Sequence, residues 1–273
     1  MAVSLPSLKE VIDRYGLAPK KSLGQHFLLN PAVLERIVNA AGDLSQSTVI
    51  EVGPGPGGLS RVIAQKGCQH FYLIEKDSRA IEALPLLNAY GTPLSILEED
   101  ALHVPAHTLG SHPRKLISNL PYNVSVPLLL NWLQHIQDFE MLVLMFQKEV
   151  ALRLVAKPST PDYGRISVIT QLVADVELLF DLSPGAFSPP PKVTSSIVRV
   201  KPKTEIPPID FQHFEKLTAA AFGQRRKMLR SSLKSLIPNP ETLLDQAGLN
   251  PTARAEELSP QDFLKLYTIW RTP

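Results

Sequence analysis

The sequence contains almost none of the groups that build disulfides or metal sites. Cys68 is the only cysteine in 273 residues, so neither an internal disulfide nor a thiolate zinc site can form. The 7 histidines lack the spacing of metal ligands, and we expect no metal. The longest apolar run, at 141–146, falls far short of a membrane span. Residues 1–17 lack the apolar core of a secretion signal, which predicts a cytoplasmic protein without a membrane partner.

A large excess of one charge is also missing, because the net charge is only +2. The distribution is uneven, however: residues 201–273 contain 11 Lys and Arg against 8 Asp and Glu, whereas residues 1–200 contain 17 against 18. Five basic residues occur in one stretch that holds no acid: Arg225, Arg226, Lys227, Arg230 and Lys234. Such clustering favours contact with RNA phosphates. A solvated helix face is the alternative interpretation.

Short β-rich runs alternate with helix-like segments over the first part of the chain. The predicted strands are 47–53, 71–75, 93–97, 115–120 and 139–147, and helical spacing of apolar residues covers 58–66 and 78–87. This alternation predicts an α/β fold with a parallel, Rossmann-like sheet. Two further strands, 174–182 and 194–200, are predicted on either side of the proline-rich loop FSPPPK.

The C-terminal part of the chain has a different pattern. A proline-rich linker is predicted at 201–211, followed by helix from Phe211 to a break at Pro238. The length of the chain allows one large and one small hydrophobic core. We therefore predict an α/β domain over residues 1–202 and a small helical domain over residues 203–273.

The segment EVGPGPGGLS is the first candidate for a binding site. Gly53, Gly55 and Gly58 match G-x-G-x-x-G between a predicted strand and a predicted helix, where backbone can approach a nucleotide-like ligand. Glu75 ends the next strand, where its carboxylate can accept both hydroxyls of a ribose. Glu51 precedes the loop, and an acid there suits a cationic ligand better than a pyrophosphate. A glycine turn without a ligand is the alternative.

The segment NLPYNVS is the second and more specific candidate. Asn119, Leu120 and Tyr122 follow the fourth predicted strand, at the edge of the sheet where open α/β folds bind ligands. The Asn119 side-chain oxygen and the Leu120 carbonyl could each accept one N–H of an adenine amine, and Tyr122 could stack on the base. Positioning of this kind directs the nitrogen lone pair at an electrophilic methyl group. The alternative is an ordinary strand that ends in a proline turn.

Taken together, the motifs resemble those of the ribosomal RNA adenine dimethyltransferase family, and most closely its small-subunit branch. Five segments match in order: KKSLGQHFL (20–28), EVGPGPGGLS (51–60), NLPYNVS (119–125), FSPPPKVTSSIV (187–198) and FGQRRKMLRSSL (222–233). The resemblance implies a class I methyltransferase fold that uses S-adenosylmethionine. It also implies an N-terminal segment that covers this cofactor and a small C-terminal helical domain that contacts RNA.

The family resemblance also assigns roles to individual residues. The cofactor would be held by Gln25, His26, Leu28, Gly53, Gly55, Glu75, Lys76, Asp100, Ala101 and Asn119. The catalytic group would be Asn119, Leu120, Tyr122 and Phe187, with the target adenine between the rings of Tyr122 and Phe187. His26 stands where many members of the family have asparagine, so a backbone contact is better supported there than a side-chain contact.

The reaction implied is dimethylation of two adjacent adenines in a hairpin near the 3′ end of 16S ribosomal RNA. It would take place in an immature small subunit, and we expect the enzyme to act as a monomer. Two alternatives remain: a large-subunit ribosomal RNA adenine methylase, which shares the glycine and Asn-x-Pro-Tyr motifs, and a nucleic-acid-binding relative without catalysis. The C-terminal segment FGQRRKMLRSSL favours the small-subunit branch.

Overall fold

The computed structural model describes residues 5–19 and 25–271. Two compact units are present: Met1–Lys148 with Glu177–Pro202, and Glu149–Val176 with Lys203–Pro273. The division into domains 1–202 and 203–273 stays a prediction, and the units differ from it by grouping 149–176 with the C-terminal residues. In the described part of the chain, no helix has both the length and the apolar character needed to span a bilayer.

The first unit contains the sheet and the helices that cover it. Its strands are β1 (Phe27–Leu28), β2 (Thr48–Val52), β3 (His70–Glu75), β4 (Leu94–Glu98), β5 (Arg114–Ser118), β6 (Met141–Gln147), most of β7 (Ala174–Leu182), β8 (Phe187–Ser188) and β9 (Ser195–Pro202). Its helices are α1 (Leu8–Arg14), α2 (Pro31–Asn39), α3 (Gly58–Lys66), α4 (Ser78–Ala83) and α5 (Tyr122–Leu133). The α/β fold and all seven predicted strands are confirmed.

Seven strands form one mixed sheet in the order β4-β3-β2-β5-β6-β9-β7. The first five are parallel, and β9 runs antiparallel to β6. The strand order reverses between β2 and β5, because the chain first builds outward through β3 and β4 and then returns to the other side of β2. Open α/β sheets bind ligands at the carboxyl ends of the strands beside such a reversal. The fold therefore places the residues after Val52 and after Ser118 at the expected site.

A two-stranded sheet joins the N-terminal segment to the proline-rich loop. Phe27 of β1 pairs with Ser188 of β8, and Leu28 pairs with Phe187. The sequence did not predict this pairing, since two-residue strands leave no periodic pattern. The pairing brings the segment around His26 against the loop that follows Phe187.

The second unit is mainly helical. Its helices are α6 (Lys148–Val155), α7 (Arg165–Val173), α8 (Phe211–Phe222), α9 (Leu229–Ser232), α10 (Pro240–Gln246) and α11 (Pro260–Arg271). The continuous helix predicted from Phe211 to Pro238 is wrong, because 223–228 form a turn. Met228 is extended in this turn and forms an antiparallel bridge with Arg254, which is incompatible with helix. A tertiary contact has thus overridden the local helical pattern.

Candidate active site

A cleft opens at the carboxyl ends of β2 and β5 in the first unit. It encloses about 780 Å³ of space between protein atoms, including space that is open to solvent. Ten of the thirteen residues predicted for the cofactor and the target base line it: Gln25, His26, Leu28, Gly53, Gly55, Glu75, Lys76, Asn119, Leu120 and Tyr122. The fold thus brings the glycine motif and the Asn-Leu-Pro-Tyr motif into one site.

The glycine loop approaches the cleft in a conformation that other residues rarely adopt. Gly53 has φ +68° and Gly55 has φ +52°, both in the left-handed region. A side chain on Gly55 would place its Cβ 3.2 Å from the Phe27 ring, and one on Gly58 would come to 3.0 Å from the Leu28 carbonyl oxygen. Glycine at these positions keeps the loop close to the N-terminal segment and its backbone exposed to the cleft.

Glu75 is held by three backbone N–H groups. Its Oε2 accepts from Gly55 at 3.1 Å, and its Oε1 accepts from Lys76 at 2.8 Å and Asp77 at 2.9 Å. Burial raises the pKa of this carboxyl, and the three N–H groups oppose that rise. A carboxylate has about four acceptor sites, so after these three hydrogen bonds Glu75 keeps about one site for a ligand. A ribose that used both hydroxyls would therefore have to displace a backbone N–H.

Glu51 lies in β2 directly below the glycine loop, where it is 2% exposed and lines the cleft. Within the described residues, its Oε2 has no hydrogen-bond partner. Burial raises the pKa of Glu51 to about 8, the Ser60 hydroxyl lowers it and the Glu75 carboxylate raises it further. A buried, unsatisfied carboxyl is costly unless a ligand completes it. A cationic ligand in the cleft would supply the missing partner.

Asn119 follows β5 and is oriented by the N-terminal segment. Its side-chain Nδ2 donates to the His26 carbonyl oxygen at 3.3 Å. In this orientation the Asn119 Oδ1 has no protein partner among the described residues, and neither does the Leu120 carbonyl oxygen. Two acceptors that an amine could use therefore line the same cleft.

Tyr122 begins α5 beside these acceptors and is half-buried. Its hydroxyl forms a hydrogen bond with the Ser195 Oγ at 2.7 Å. Burial raises the pKa of the phenol, which keeps it neutral at physiological pH, and the Ser195 hydroxyl opposes this effect. The hydrogen bond fixes the ring edge and leaves the rest of the ring to stack.

Three predicted residues do not line the cleft. Phe187 is 5% exposed and belongs to the core cluster beneath it. Asp100 follows β4 and forms an ion pair with Lys76 at 3.3 Å. The pKa of the Asp100 carboxyl is lowered, mainly because the carboxylate accepts a hydrogen bond from the Leu102 N–H, and Lys76 lowers it further. Asp100 is thus connected to the cleft through Lys76, whereas Ala101, the third of these residues, only follows Asp100 in the chain.

The basic residues predicted to contact RNA fall into two groups in the second unit. Arg225 is tied internally: it pairs with Glu256 at 3.2 Å and donates to the carbonyl oxygens of Pro161 at 2.5 Å and Tyr163 at 3.1 Å. Arg230 pairs with Glu241 at 3.4 Å. The other three have exposed side chains, to which the described residues offer no hydrogen bond or ion pair: Arg226, Lys227 and Lys234.

The family model described as ribosomal RNA adenine dimethylase matches residues 16–271 of this chain. The chain belongs to this family. Adenine dimethylases of this kind use S-adenosylmethionine as the methyl donor. The resemblance inferred from the five motifs is confirmed, as is the assignment to the rRNA methyltransferases.

Relatives in the family are similar over nearly the whole dimethylase chain. The ribosomal RNA small subunit methyltransferase A of Rhodospirillum rubrum is 50% identical, over 96% of this chain and 91% of its own length. That of Paramagnetospirillum magneticum is 52% identical, over 96% and 94%. A dimethyladenosine transferase from Plasmodium falciparum has a TM-score of 0.76 and 27% identity, over 88% of this chain and 96% of its own. The 23S rRNA methyltransferase ErmE, at 23% identity and TM-score 0.65, shares the fold.

The residues of the cleft fit S-adenosylmethionine. This cofactor carries a sulfonium and an ammonium group, and the Glu51 Oε2, which the described residues leave without a partner, is a buried oxygen that can ionise beside such a cation. A dinucleotide would instead bring a pyrophosphate, whose negative charge opposes ionisation of the buried Glu51. Glu75 does not discriminate, because both kinds of cofactor contain a ribose. Glu51 therefore favours the dimethylase cofactor over nicotinamide cofactors.

The predicted site residues did not include three features of the dimethylase cleft. From the sequence, only the negative charge of Glu51 was used. An acid within a buried strand is unusual, and this could have identified Glu51 as a site residue. Ser195 follows the proline-rich loop, and nothing in the sequence pairs it with Tyr122. The contact between His26 and the loop at Pro189 depends on the β1–β8 pairing and left no sequence signal.

Proposed function

We propose that this dimethylase transfers two methyl groups to the N6 amine of each of two adjacent adenines in the 3′-terminal hairpin of 16S ribosomal RNA. The substrate is the RNA of an immature small subunit, and the enzyme acts as a monomer in the cytoplasm. The small-subunit names of relatives at about half identity over 96% of the chain support this choice of substrate.

The cleft holds the methyl donor through its carboxylates and its glycine loop. When bound, S-adenosylmethionine supplies a methyl group on a positively charged sulfur. Glu51 balances the positive charge, Glu75 accepts from the ribose, and the backbone of Gly53 and Gly55 allows close approach. Gln25, His26 and Leu28 line the same cleft from the N-terminal segment.

Asn119 and Leu120 prepare the adenine amine for attack. This amine is a weak nucleophile, because its lone pair is delocalised into the ring. When the Asn119 Oδ1 and the Leu120 carbonyl each accept one N–H, the nitrogen becomes more pyramidal and its lone pair is directed out of the ring plane. Preorganised acceptors of this kind need no strong base. A monomethylated amine still offers one N–H to the same pair, which permits a second round.

The single observation that carries the proposal is the orientation of the Asn119 amide. Because its Nδ2 donates to the His26 carbonyl, its Oδ1 has no partner among the described residues and lies in the cleft that also contains Gly53 and Glu75. An acceptor at that place serves an amine donor, which is the group that an adenine presents.

RNA binding is assigned to the exposed part of the basic cluster. The side chains of Arg226, Lys227 and Lys234 have no partner in the described part of the chain and can meet phosphates, whereas Arg225 and Arg230 are paired with acids of the second unit. Phosphate contacts position an RNA without reading its sequence, so the choice of adenine falls to the cleft.

The test uses tritiated S-adenosylmethionine with undermethylated small subunits and, in parallel, unmethylated large-subunit RNA. After digestion, chromatography identifies the labelled nucleoside. We expect label in dimethyladenosine from the small-subunit RNA alone. Label in the large-subunit RNA would favour the other methylase branch, and cofactor binding without label in either RNA would favour the non-catalytic relative.

A further inference from the structure

One apolar side chain is exposed within the turn 223–228 of the second unit. Met228 is 40% exposed, and Val193 of the first unit is the only other large hydrophobic residue exposed in the described part of the chain. Single exposed hydrophobic residues are ordinary on protein surfaces. Met228 is distinctive because it directly follows Arg226 and Lys227, whose exposed side chains have no hydrogen bond or ion pair with the described residues. The turn therefore presents an apolar group and two cations together.

The hydrogen bonds of the turn fix the backbone that carries Met228. The Lys227 N–H donates to the Gln224 carbonyl oxygen at 2.8 Å, and the Met228 carbonyl oxygen accepts from the Ser232 N–H at 3.0 Å. Met228 also forms the antiparallel bridge with Arg254. Because the backbone is already ordered, a ligand that covers Met228 has to order little more than one side chain.

The charges around Met228 indicate the class of ligand. Side chains that face each other in an antiparallel pair lie about 4.5–5.5 Å apart at their Cβ atoms, so the exposed Arg254 lies beside Met228. The acids nearest to Arg254 in the chain already have partners: Glu256 pairs with Arg225, and Glu257 accepts from the Arg254 N–H. Exposed cations around an apolar side chain suit a polyanion that also offers sugar and base surface, as RNA does. The dimethylase family acts on RNA, which favours RNA over an acidic protein.

We propose that the Met228 side chain packs against the ribose and base surface of small-subunit RNA, beside the phosphates that Arg226 and Lys227 contact. The inference rests on the proposed function and deepens it, because it adds an apolar contact to an RNA surface that is otherwise cationic. Phosphate contacts release counterions and therefore weaken as the salt concentration rises, whereas an apolar contact releases none. Loss of the Met228 contact should therefore lower the affinity by the same factor at every salt concentration.

Two substitutions at this position isolate the apolar contribution. Met228→Gln keeps the length of the side chain and makes its end polar, whereas Met228→Leu keeps the side chain apolar. Each buried methylene group contributes about fourfold to affinity, so loss of the contact of a partly exposed methionine should cost about tenfold. Arg226→Ala is the reference for loss of one phosphate contact. Thermal unfolding verifies that every variant is folded.

The first measurement is filter binding of the full-length protein to undermethylated small subunits at several salt concentrations. We expect Met228→Gln to bind about tenfold more weakly throughout, with the wild-type slope of log K against log salt. Met228→Leu should bind within about threefold of the wild type. Arg226→Ala should lower the slope by roughly 0.7–0.9. Wild-type affinity in Met228→Gln, or an equal loss in Met228→Leu, would overturn the proposal.

The second measurement identifies the molecule that covers Met228. A photoreactive benzoylphenylalanine replaces this residue, and the protein is irradiated on small subunits. Digestion with nuclease or with protease then shows whether the cross-linked partner is RNA or a ribosomal protein. We expect RNA, and a cross-link to ribosomal protein alone would show that the apolar contact serves a protein instead.

Failure of this inference and failure of the proposed function give different results. If Arg226→Ala lowers the salt slope while Met228→Gln binds like the wild type, only the apolar contact is wrong. If neither substitution weakens binding, or if the wild type does not bind small subunits, the assignment of this turn to RNA contact is wrong.

Discussion

The cleft of the first unit and the basic turn at 223–228 in the second unit differ in how their polar side chains are held. In the cleft, the groups that matter are buried or half-buried, and backbone contacts orient them, as with Glu75 on three N–H groups and Asn119 on the His26 carbonyl. In the turn, the side chains of Arg226 and Lys227 are exposed and form no hydrogen bond or ion pair with the described residues. The proposed chemistry thus uses groups whose position is set before binding, whereas the proposed phosphate contacts use exposed charges whose side chains have no partner among the described residues.

Two arginines of the turn differ in the same way. Arg225 and Arg226 are neighbours in the sequence, yet Arg225 is bound to Glu256 and to two carbonyl oxygens, while Arg226 is free of such contacts in the described residues. Charge alone therefore does not identify the residues that contact RNA. The partners that a side chain has inside the protein decide whether it is available to a ligand.

The largest change should be the loss of activity on replacing Asn119, the side-chain acceptor in the cleft. Replacing Asn119 with alanine removes a preorganised acceptor, and we expect kcat to fall by about 10²- to 10³-fold. Affinity for small subunits should remain within twofold, because the exposed basic residues are unchanged. Single-turnover transfer of tritiated methyl groups measures the rate, and filter binding measures the affinity.

Asn131→Ala is the control for Asn119→Ala. Asn131 also donates its amide to a carbonyl oxygen, that of Leu102 at 3.4 Å, but it is exposed on α5. Its removal should leave the rate unchanged. If both variants lost the same activity, the orientation of the Asn119 amide would not be the cause.

The second effect concerns the pH dependence of cofactor binding. Because the pKa of Glu51 is raised to about 8, this carboxyl is protonated at lower pH in the free protein. A cationic cofactor favours the ionised form, so binding releases a proton. Affinity should rise by up to about tenfold per pH unit between pH 6 and 8, and level off above. Isothermal titration calorimetry in buffers of different ionisation enthalpy measures the affinity and the proton release.

Glu51→Gln should flatten this profile and weaken cofactor binding above pH 8. Titrations of both proteins with the same cofactor cancel the protonation of the cofactor itself. The free energy of unfolding should change with pH in the opposite direction to cofactor affinity. Above about pH 4.5 the unfolded chain releases the Glu51 proton, whereas the folded, unliganded protein keeps it, so the free energy of unfolding falls as the pH rises towards 8. The wild type should therefore lose more thermal stability than the variant between pH 5 and 8.

The third effect tests the exposed charges of the turn. Replacing Arg226 and Lys227 together with alanine should weaken binding to small-subunit RNA about tenfold and lower the slope of log K against log salt by roughly 0.7–0.9 per residue. Single-turnover rates at saturating RNA should stay unchanged. Binding isotherms at several salt concentrations measure both quantities, and Lys66→Ala, at the exposed end of α3, is the control for loss of a charge elsewhere.

The smallest effect is expected for Arg225, and it should appear as stability. Arg225→Ala leaves two carbonyl oxygens and Glu256 without their donor, which should cost about 1–2 kcal/mol of unfolding free energy. Denaturant unfolding measures this loss. The salt slope of RNA binding should change less than in Arg226→Ala, and a larger change would place Arg225 among the RNA contacts.

The sequence predicted the parts of the fold that depend on local pattern. All seven strands of the main sheet were predicted because buried strands are apolar and rich in β-branched residues, and α3 was predicted by apolar residues at helical spacing. The break between Phe222 and Leu229 was missed, since it depends on a bridge between Met228 and Arg254, which are far apart in the chain. A long-range pairing of this kind has no local signature.

In the candidate site, too, the residues that follow from local motifs were predicted and the long-range contacts were not. Gly53, Gly55, Glu75 and Asn119 were predicted from motifs, because glycine and acceptor side chains are needed at fixed positions after a strand. Glu51 could have been weighted more heavily, since an acid inside a buried strand is rarely without a ligand or partner. The contact between His26 and Pro189 could not have been predicted, because it joins segments 163 residues apart.

By itself, the sequence determined the seven strands of the main sheet, the place of the glycine loop and the chemical groups available to a cationic cofactor and an amine. These follow from side-chain type and from spacing along a single strand or turn. Only the tertiary structure decided which of these groups have partners. Among the described residues it left the Glu51 Oε2 and the Arg226 side chain without one, while it turned the Asn119 amide, buried Phe187 and paired Arg225 with Glu256. The physical reason is that a hydrogen bond or ion pair requires two groups within about 3 Å, and packing brings such groups together regardless of their separation in the chain.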